Sequence, residues 1–240
     1  MTELLAPAKI NLALVVGPTR PDGRHEVATV LQRISLADRI SLEPADGLRV
    51  EGFVEDTLVR RALERLAGDA GTSPGWRVTI DKQIPVSAGL GGGSSDAAAA
   101  LRLANWTLRR PMSDRALGEL AAALGADIPF FLTTGPQLGE EDGTALSPLE
   151  LPQDYWVLVL LPTGAHKQST AAVYDAFTGE EGFDDRRAAL VRALALGDLP
   201  ALPPNDLASS LLGDELQDRG AFRADVSGAG PAVYGLFAEQ

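Results

Sequence analysis

Four glycines fall within five residues at Gly89, Gly91, Gly92 and Gly93, inside the stretch DKQIPVSAGLGGGSSDAAAA at positions 81–100. Each gives up side-chain burial and costs extra backbone entropy on ordering, so a folded core alone does not ask for them. Behind them come Ser94, Ser95 and Asp96, then four alanines. That is capping chemistry followed by the best helix former, and it predicts a helix over 95–109 with the glycines at its N-terminus. The first amides of a helix have no intrahelical acceptor and carry the positive end of its dipole, so a loop without Cβ atoms there can wrap N–H donors around a phosphate. The bland alternative is a flexible strand-to-helix connection, which needs one or two glycines rather than four.

Two familiar phosphate motifs fail on their own residues. A Walker A loop requires a Lys before its Ser or Thr, and here Ser94 and Ser95 follow Gly93 directly. A dinucleotide fingerprint needs an acidic residue about 20 positions on, where this chain has Asn105 to Arg109.

Other residues could act beside the loop. In the alternating strand pattern of 8–16, Lys9 and Asn11 point the same way, either as a solvated edge or as one wall of a site. His25 follows the turn Arg20-Pro21-Asp22-Gly23, and an isolated exposed histidine usually serves no site. Asp127 stands two positions before Pro129, a helix N-cap pattern beside the apolar Phe130 and Phe131 that would fix and partly desolvate the carboxylate. Gly228 and Gly230 flank Ala229 between two strand patterns, which reads as hairpin punctuation or as a second glycine loop.

The chain is long enough to bury a substantial core, with 45% hydrophobic residues. A net charge of −12 argues against nucleic acid or an anionic membrane as partner, so any phosphate must be held by local donors. The absence of cysteine excludes disulfides, thiolate metal sites and Cys nucleophiles. No apolar run approaches the roughly 18 residues of a membrane span, and the N-terminus lacks a charged-then-apolar signal pattern, so a cytoplasmic protein is expected. Only Lys9, Lys82 and Lys167 are lysines.

The supporting elements follow from pattern. Strands are expected over 8–16, 27–34, 39–43, 48–51, 76–80 and 232–237, with a turn at Ala37-Asp38. A further strand over 155–161 is a continuous apolar run and is expected to be buried. Helices are expected over 57–68, capped by Asp56 and ended by Gly68, over 113–124, capped by Ser113 and ended by Gly125, and over 171–177 and 186–196. A last helix is expected to open at Asn205-Asp206-Leu207, and the acidic 134–150 stretch reads as a solvated connection.

The run Pro85-Val86-Ser87-Ala88-Gly89-Leu90-Gly91-Gly92-Gly93-Ser94-Ser95-Asp96-Ala97-Ala98 resembles the ATP-binding loop of the GHMP kinase superfamily. Pro7-Ala8-Lys9-Ile10-Asn11-Leu12, Gly125-Ala126-Asp127-Ile128-Pro129-Phe130-Phe131 and Gly228-Ala229-Gly230 are similar to its other motifs, in the same order. The resemblance implies an α+β, two-lobed fold, with a ribosomal protein S5 domain 2-like N-terminal half over 1–150 and a shortened α/β half over 151–240. It implies an ATP-dependent kinase with Mg2+, holding ATP on residues 85–95, with Lys9 and Asp127 catalytic. Asn11, Arg24, His25, Thr170, Gly228 and Gly230 would bind the substrate, and no protein metal ligand is assigned.

The nearest branch implies phosphorylation of the 2-hydroxyl of 4-diphosphocytidyl-2-C-methyl-D-erythritol in non-mevalonate isoprenoid synthesis. Alternatives are another kinase of the superfamily, acting on homoserine or mevalonate, or a ligand sensor on the same fold. Arg24 stands where the branch has a Tyr beside its His, and Thr57 where it has an Asn.

Overall fold

The computed structural model describes residues 1–53, 57–163, 169–179 and 181–239. In chain order the first elements are β1 (Thr2–Thr19), β2 (His25–Pro44), β3 (Arg49–Glu51), α1 (Leu58–Asp69), β4 (Trp76–Asp81), α2 (Gly92–Thr107), α3 (Asp114–Leu124) and α4 (Ile128–Leu132). There follow β5 (Gln137–Glu140), β6 (Ala145–Pro148), β7 (Trp156–Leu160), α5 (Thr170–Asp175), α6 (Phe183–Leu196), α7 (Leu211–Asp218), β8 (Arg223–Val226) and β9 (Val233–Phe237). No described helix is long and apolar enough to cross a membrane. The chain forms two compact units, one of Met1–Ala8, Ile34–Val86 and Gly91–Thr134, the other of Lys9–Arg33, Ser87–Leu90 and Gly135–Gln240.

In the first unit the later part of β2 pairs antiparallel with β4, from Arg39 opposite Asp81 to Pro44 opposite Trp76, and β3 runs parallel to β4. Ile40, Leu42, Val78 and Ile80 are buried at the two-residue spacing of a strand face. Helix α1 buries Val59, Ala62, Leu63, Leu66 and Ala67, the stripe of an amphipathic helix, and packs on α2. Helix α2 is buried along Ala97–Leu101, and its alanines let α1 and α4 approach closely. Phe130 and Phe131 anchor the short α4, their rings 5.0 Å apart and edge to face. Helix α3 has the expected ends: Ser113 Oγ accepts from the Ala116 amide, and Gly125 follows the last turn.

The expected turn at Ala37-Asp38 does not form, because β2 passes through it unbroken. A buried carboxylate in a strand is costly unless paired. Asp38 is fully buried and accepts from the amides of Gln83 and Ile84 and from Lys82 Nζ, donors more than 40 residues away. Gly68 does not end α1, which runs on to Asp69 and is capped at Ala70. The expected cap Asp56 lies outside the described residues. Helix α2 starts at Gly92 rather than Ser95, so two of the glycines are its first residues, and Ser95 and Asp96 are buried in the helix rather than capping it.

In the second unit the earlier part of β2 pairs with β5, Thr29 opposite Gly139, and β5 forms a hairpin with β6. The 134–150 stretch is therefore not a plain solvated connection. Its acidic residues are matched by arginines distant in sequence: Glu140 with Arg187, Glu141 with Arg20, and Asp142 with Arg24. A second sheet has the order β7-β9-β8, all antiparallel. Strand β7 lies at its edge with Trp156 and Leu158 exposed, against the expectation of full burial. Asn205-Asp206 opens no helix. Asp206 instead lies along β1, its amide donating to the Leu14 carbonyl and its carboxylate accepting from the Val16 amide. The helix starts later, at Leu211 after the cap Ser210.

Because Phe130 is fully buried and holds α4 against α2, Phe130→Ala is expected to cost about 3–5 kcal/mol in urea unfolding. A loss under about 1 kcal/mol would show that α4 is not anchored by that ring.

Candidate active site

In the second unit Gly89 is held by backbone contacts that leave no room for a side chain. A Cβ on Gly89 would lie 2.2 Å from the Ser227 carbonyl oxygen and 2.9 Å from that of Gly230, and the residue sits at φ +84°. Both facts require glycine. Around it, Ser227 Oγ donates to the Gly89 carbonyl at 3.0 Å, the Ala232 amide to the Ala88 carbonyl at 3.0 Å, and the Lys9 amide to the Leu90 carbonyl at 2.9 Å. Gly228 and Gly230, at φ +56° and +73°, thus belong to the turn that braces Ser87–Leu90. Asn205 fixes this turn from behind, its Nδ2 donating to the carbonyls of Val226 and Gly228 at 2.9 and 2.7 Å.

In the first unit, Gly91 is the N-cap of α2 at φ +70° and offers no capping side chain. The first intrahelical bond runs from the Ser95 amide to the Gly91 carbonyl, which leaves the amides of Gly92, Gly93 and Ser94 without an intrahelical acceptor. Such a turn can receive an anion. Pro85 and Val86, which lead into the loop, are exposed, and so is Ser87 at φ +57°.

Lys9 and Asn11 are not a solvated edge, being 3% and 4% exposed. Lys9 Nζ donates to Asn11 Oδ1 at 2.6 Å, Asn11 Nδ2 to Thr29 Oγ1 at 2.8 Å, and Thr29 Oγ1 to the Ala13 carbonyl at 2.8 Å. This relay fixes a buried ammonium beside Gly228, where a Cβ would come within 3.3 Å of Nζ. Asp127 lies in the other unit, half-buried, at the N-cap position of α4, but its side chain makes no capping bond.

His25 Nδ1 is 2.9 Å from the Gly17 carbonyl oxygen. A carbonyl only accepts, so Nδ1 carries the proton and Nε2 of the neutral ring is an acceptor. The ring packs against Tyr174 and Phe177, with centroids 5.8 and 6.0 Å away. Thr170 opens α5 and is exposed, and the residues of that segment that reach His25 are Tyr174 and Phe177. The Arg24 guanidinium pairs with Asp142. Burial pushes the Asp142 carboxyl up, yet hydrogen bonds from Thr144 and Arg24 outweigh it and hold the pKa below the usual value.

The family profile described as GHMP kinases N terminal domain matches residues 57–135. A 4-diphosphocytidyl-2-C-methyl-D-erythritol kinase of Pelotomaculum thermopropionicum is 41% identical over 259 residues, covering 98% of this chain and 88% of that protein. The chain belongs to the 4-diphosphocytidyl-2-C-methyl-D-erythritol kinase family of GHMP kinases. A crystal structure of 4-(cytidine 5'-diphospho)-2C-methyl-D-erythritol kinase superposes with TM-score 0.81 at 34% identity, covering 98% of this chain and 90% of that one. A homoserine kinase from Cytophaga hutchinsonii, at TM-score 0.77 and 18% identity over 99% of this chain and 85% of that one, shares the fold.

The α+β GHMP kinase fold expected from the motifs is therefore the fold observed. For this GHMP kinase family member, reading the sequence missed Tyr174, Phe177, the Lys82 pairing and the bracing role of Asn205. The aromatic pair at i and i+3 was a usable signal. Asn205 reads as a helix start in the sequence, because the main-chain carbonyls it bonds lie in a turn more than 20 residues away.

The two ends of the loop separate close approach from open space. Gly89→Ala forces Cβ against main chain at positive φ and is expected to destabilise by about 1–3 kcal/mol. Gly93→Ala meets nothing within 4 Å and lies in a helix, so its urea midpoint is expected to stay or rise. Equal losses in both variants would contradict this account of the loop.

Proposed function

We propose that this protein transfers the γ-phosphoryl group of ATP to the 2-hydroxyl of 4-diphosphocytidyl-2-C-methyl-D-erythritol, a cytoplasmic step of non-mevalonate isoprenoid synthesis. The observation that carries the reading is the glycine-built start of α2, whose amides at Gly92, Gly93 and Ser94 are left for an anion, in a chain 41% identical to a kinase of that name. Phosphoryl transfer has a loose transition state, so the protein mainly positions reactants and offsets charge. Residues 85–95 would hold the ATP phosphates. Lys9, fixed by Asn11 and Thr29, would supply a buried positive charge that needs no reorganisation.

Asp127 would take the hydroxyl proton as the substrate oxygen bonds to the γ-phosphorus, while the bond to the bridging oxygen breaks and ADP leaves. His25 suits a cytosine: with Nδ1–H bound to the Gly17 carbonyl, Nε2 can accept from the exocyclic amino group, and Tyr174 and Phe177 supply apolar faces beside it. A magnesium ion would be brought to the site with the nucleotide's phosphates. When bound, it neutralises phosphate charge.

ADP release coupled to a panel of alcohols tests the assignment. Turnover is expected with the cytidine-diphosphate sugar alcohol and not with homoserine or mevalonate. Asp127→Asn is expected to lower kcat by about 10²–10⁴ with an unchanged unfolding midpoint. Near-native turnover in that variant would remove Asp127 from the reaction.

A further inference from the structure

The ammonium group of Lys82 is shared by two fully buried carboxylates, Asp38 Oδ2 at 2.6 Å and Asp96 Oδ2 at 2.8 Å. Asp38 also receives the amides of Gln83 and Ile84. Asp96 is less well satisfied: its Oδ1 is buried and has no hydrogen-bond partner among the described residues. The cluster lies at the start of α2. Asp96 is the fifth residue of that helix, and a Cβ on Gly92, its first, would be 3.2 Å from Lys82 Nζ.

We propose that Asp96, acting through Lys82 and the first turn of α2, is a positioning residue whose charge sets the affinity for the nucleotide phosphates. The inference rests on the reading of that turn as the phosphate site. With both carboxylates ionised, the cluster carries one more negative than positive charge beside the anion-binding amides and opposes a polyphosphate. With Asp96 protonated, the cluster is neutral and the opposition is gone.

Chemistry around Asp96 makes that switch accessible. Burial pushes its carboxyl up to about 7, although the Lys82 hydrogen bond and charge pull it down. Burial pulls the Lys82 pKa down, but hydrogen bonds to Asp38 and Asp96 outweigh it and leave it raised, so the ammonium persists across the range. The charged groups acting most strongly on Asp96 are Lys82, after β4, and Asp38, on β2. The neighbouring α1 turns only Val59, Ala62, Leu63, Leu66 and Ala67 inward; α4 has no ionisable side chain of its own, with Asp127 just before it. Since the raised group binds a proton more readily when an anion sits nearby, nucleotide binding takes up a proton and weakens as pH rises through about 7.

Calorimetric titration of the whole protein with ADP, between about pH 6 and about pH 8, tests this in wild type and Asp96→Asn. The nucleotide's own titration is common to both proteins, so their difference reports Asp96. Asp96→Asn is expected to bind ADP about three- to tenfold more tightly than wild type at the upper pH and to match it at the lower. Equal affinities across the range would overturn the proposal while leaving the phosphate reading intact, whereas failure of wild type to bind ADP at any pH would overturn both. If Asp96→Asn does not fold, the carboxyl 13C titration of Asp96 in wild type decides. Its midpoint is expected to rise when ADP is added, and an unmoved midpoint would overturn the proposal.

Discussion

The missing Cβ of Gly89 is the constraint on which the loop's shape depends. With main-chain oxygens of Ser227 and Gly230 at 2.2 and 2.9 Å from where that atom would be, two backbones meet at a distance no side chain permits. The contact joins segments that are far apart in sequence. Strand β1 enters through the Lys9 amide, the turn before β9 through Ala232, and β8 through the Asn205 bonds to Val226 and Gly228. A larger residue at position 89 would have to displace a turn held by bonds from Gly230 to Ser227 and from Asn205 to Val226 and Gly228, which is why the turn at Gly228–Gly230 belongs to the loop's structure as much as to any ligand.

Charge is handled by the same preference for local fixation. The net charge of −12 offers no attraction to a nucleotide at long range. Both described lysines are instead placed inside the protein with side-chain acceptors, Lys9 on Asn11 and Lys82 between Asp38 and Asp96. Most arginine pairs lie nearer the surface, as with Arg24 and Asp142 or Arg65 and Asp69. Among the described residues an exception is Arg223, 6% exposed, whose planar fork reaches the carbonyls of Leu202 and Pro203. A compact ammonium suits a point between two carboxylates, and a fork suits a set of divergent carbonyls.

Legibility in the sequence followed the range of the interaction. Capping and helix-start chemistry act over a few residues, so the glycine loop, the Ser113 cap and the position of Asp127 before α4 could be read directly. Asp38 and the acidic hairpin residues look like turn and solvent signals because the cations that match them come from elsewhere in the chain. Asn205-Asp206 looks like a helix start for the same reason: both side chains are potential caps, and only tertiary contacts direct them to β1 and the Gly228 turn. Strand β7 shows the limit of composition, since an apolar run does not say which face is covered. Lys9 and Asn11 could be placed on one strand face but not assigned to solvent or interior until the relay through Thr29 was seen.

Preorganisation links these observations to the proposed reaction. Gly89, Gly228 and Gly230 sit in left-handed conformations braced by the hydrogen bonds of Ser227, Ala232 and Asn205, and Gly91 is the left-handed N-cap of the buried α2. An anion entering such a turn meets amides that already lack an intrahelical acceptor, so little backbone entropy remains to be lost on binding. A flexible glycine-rich connection would have the same composition and the opposite energetics. What separates the two at Ala88 and Gly89 is the set of contacts from Ser227 and Ala232, which fixes that part of the loop.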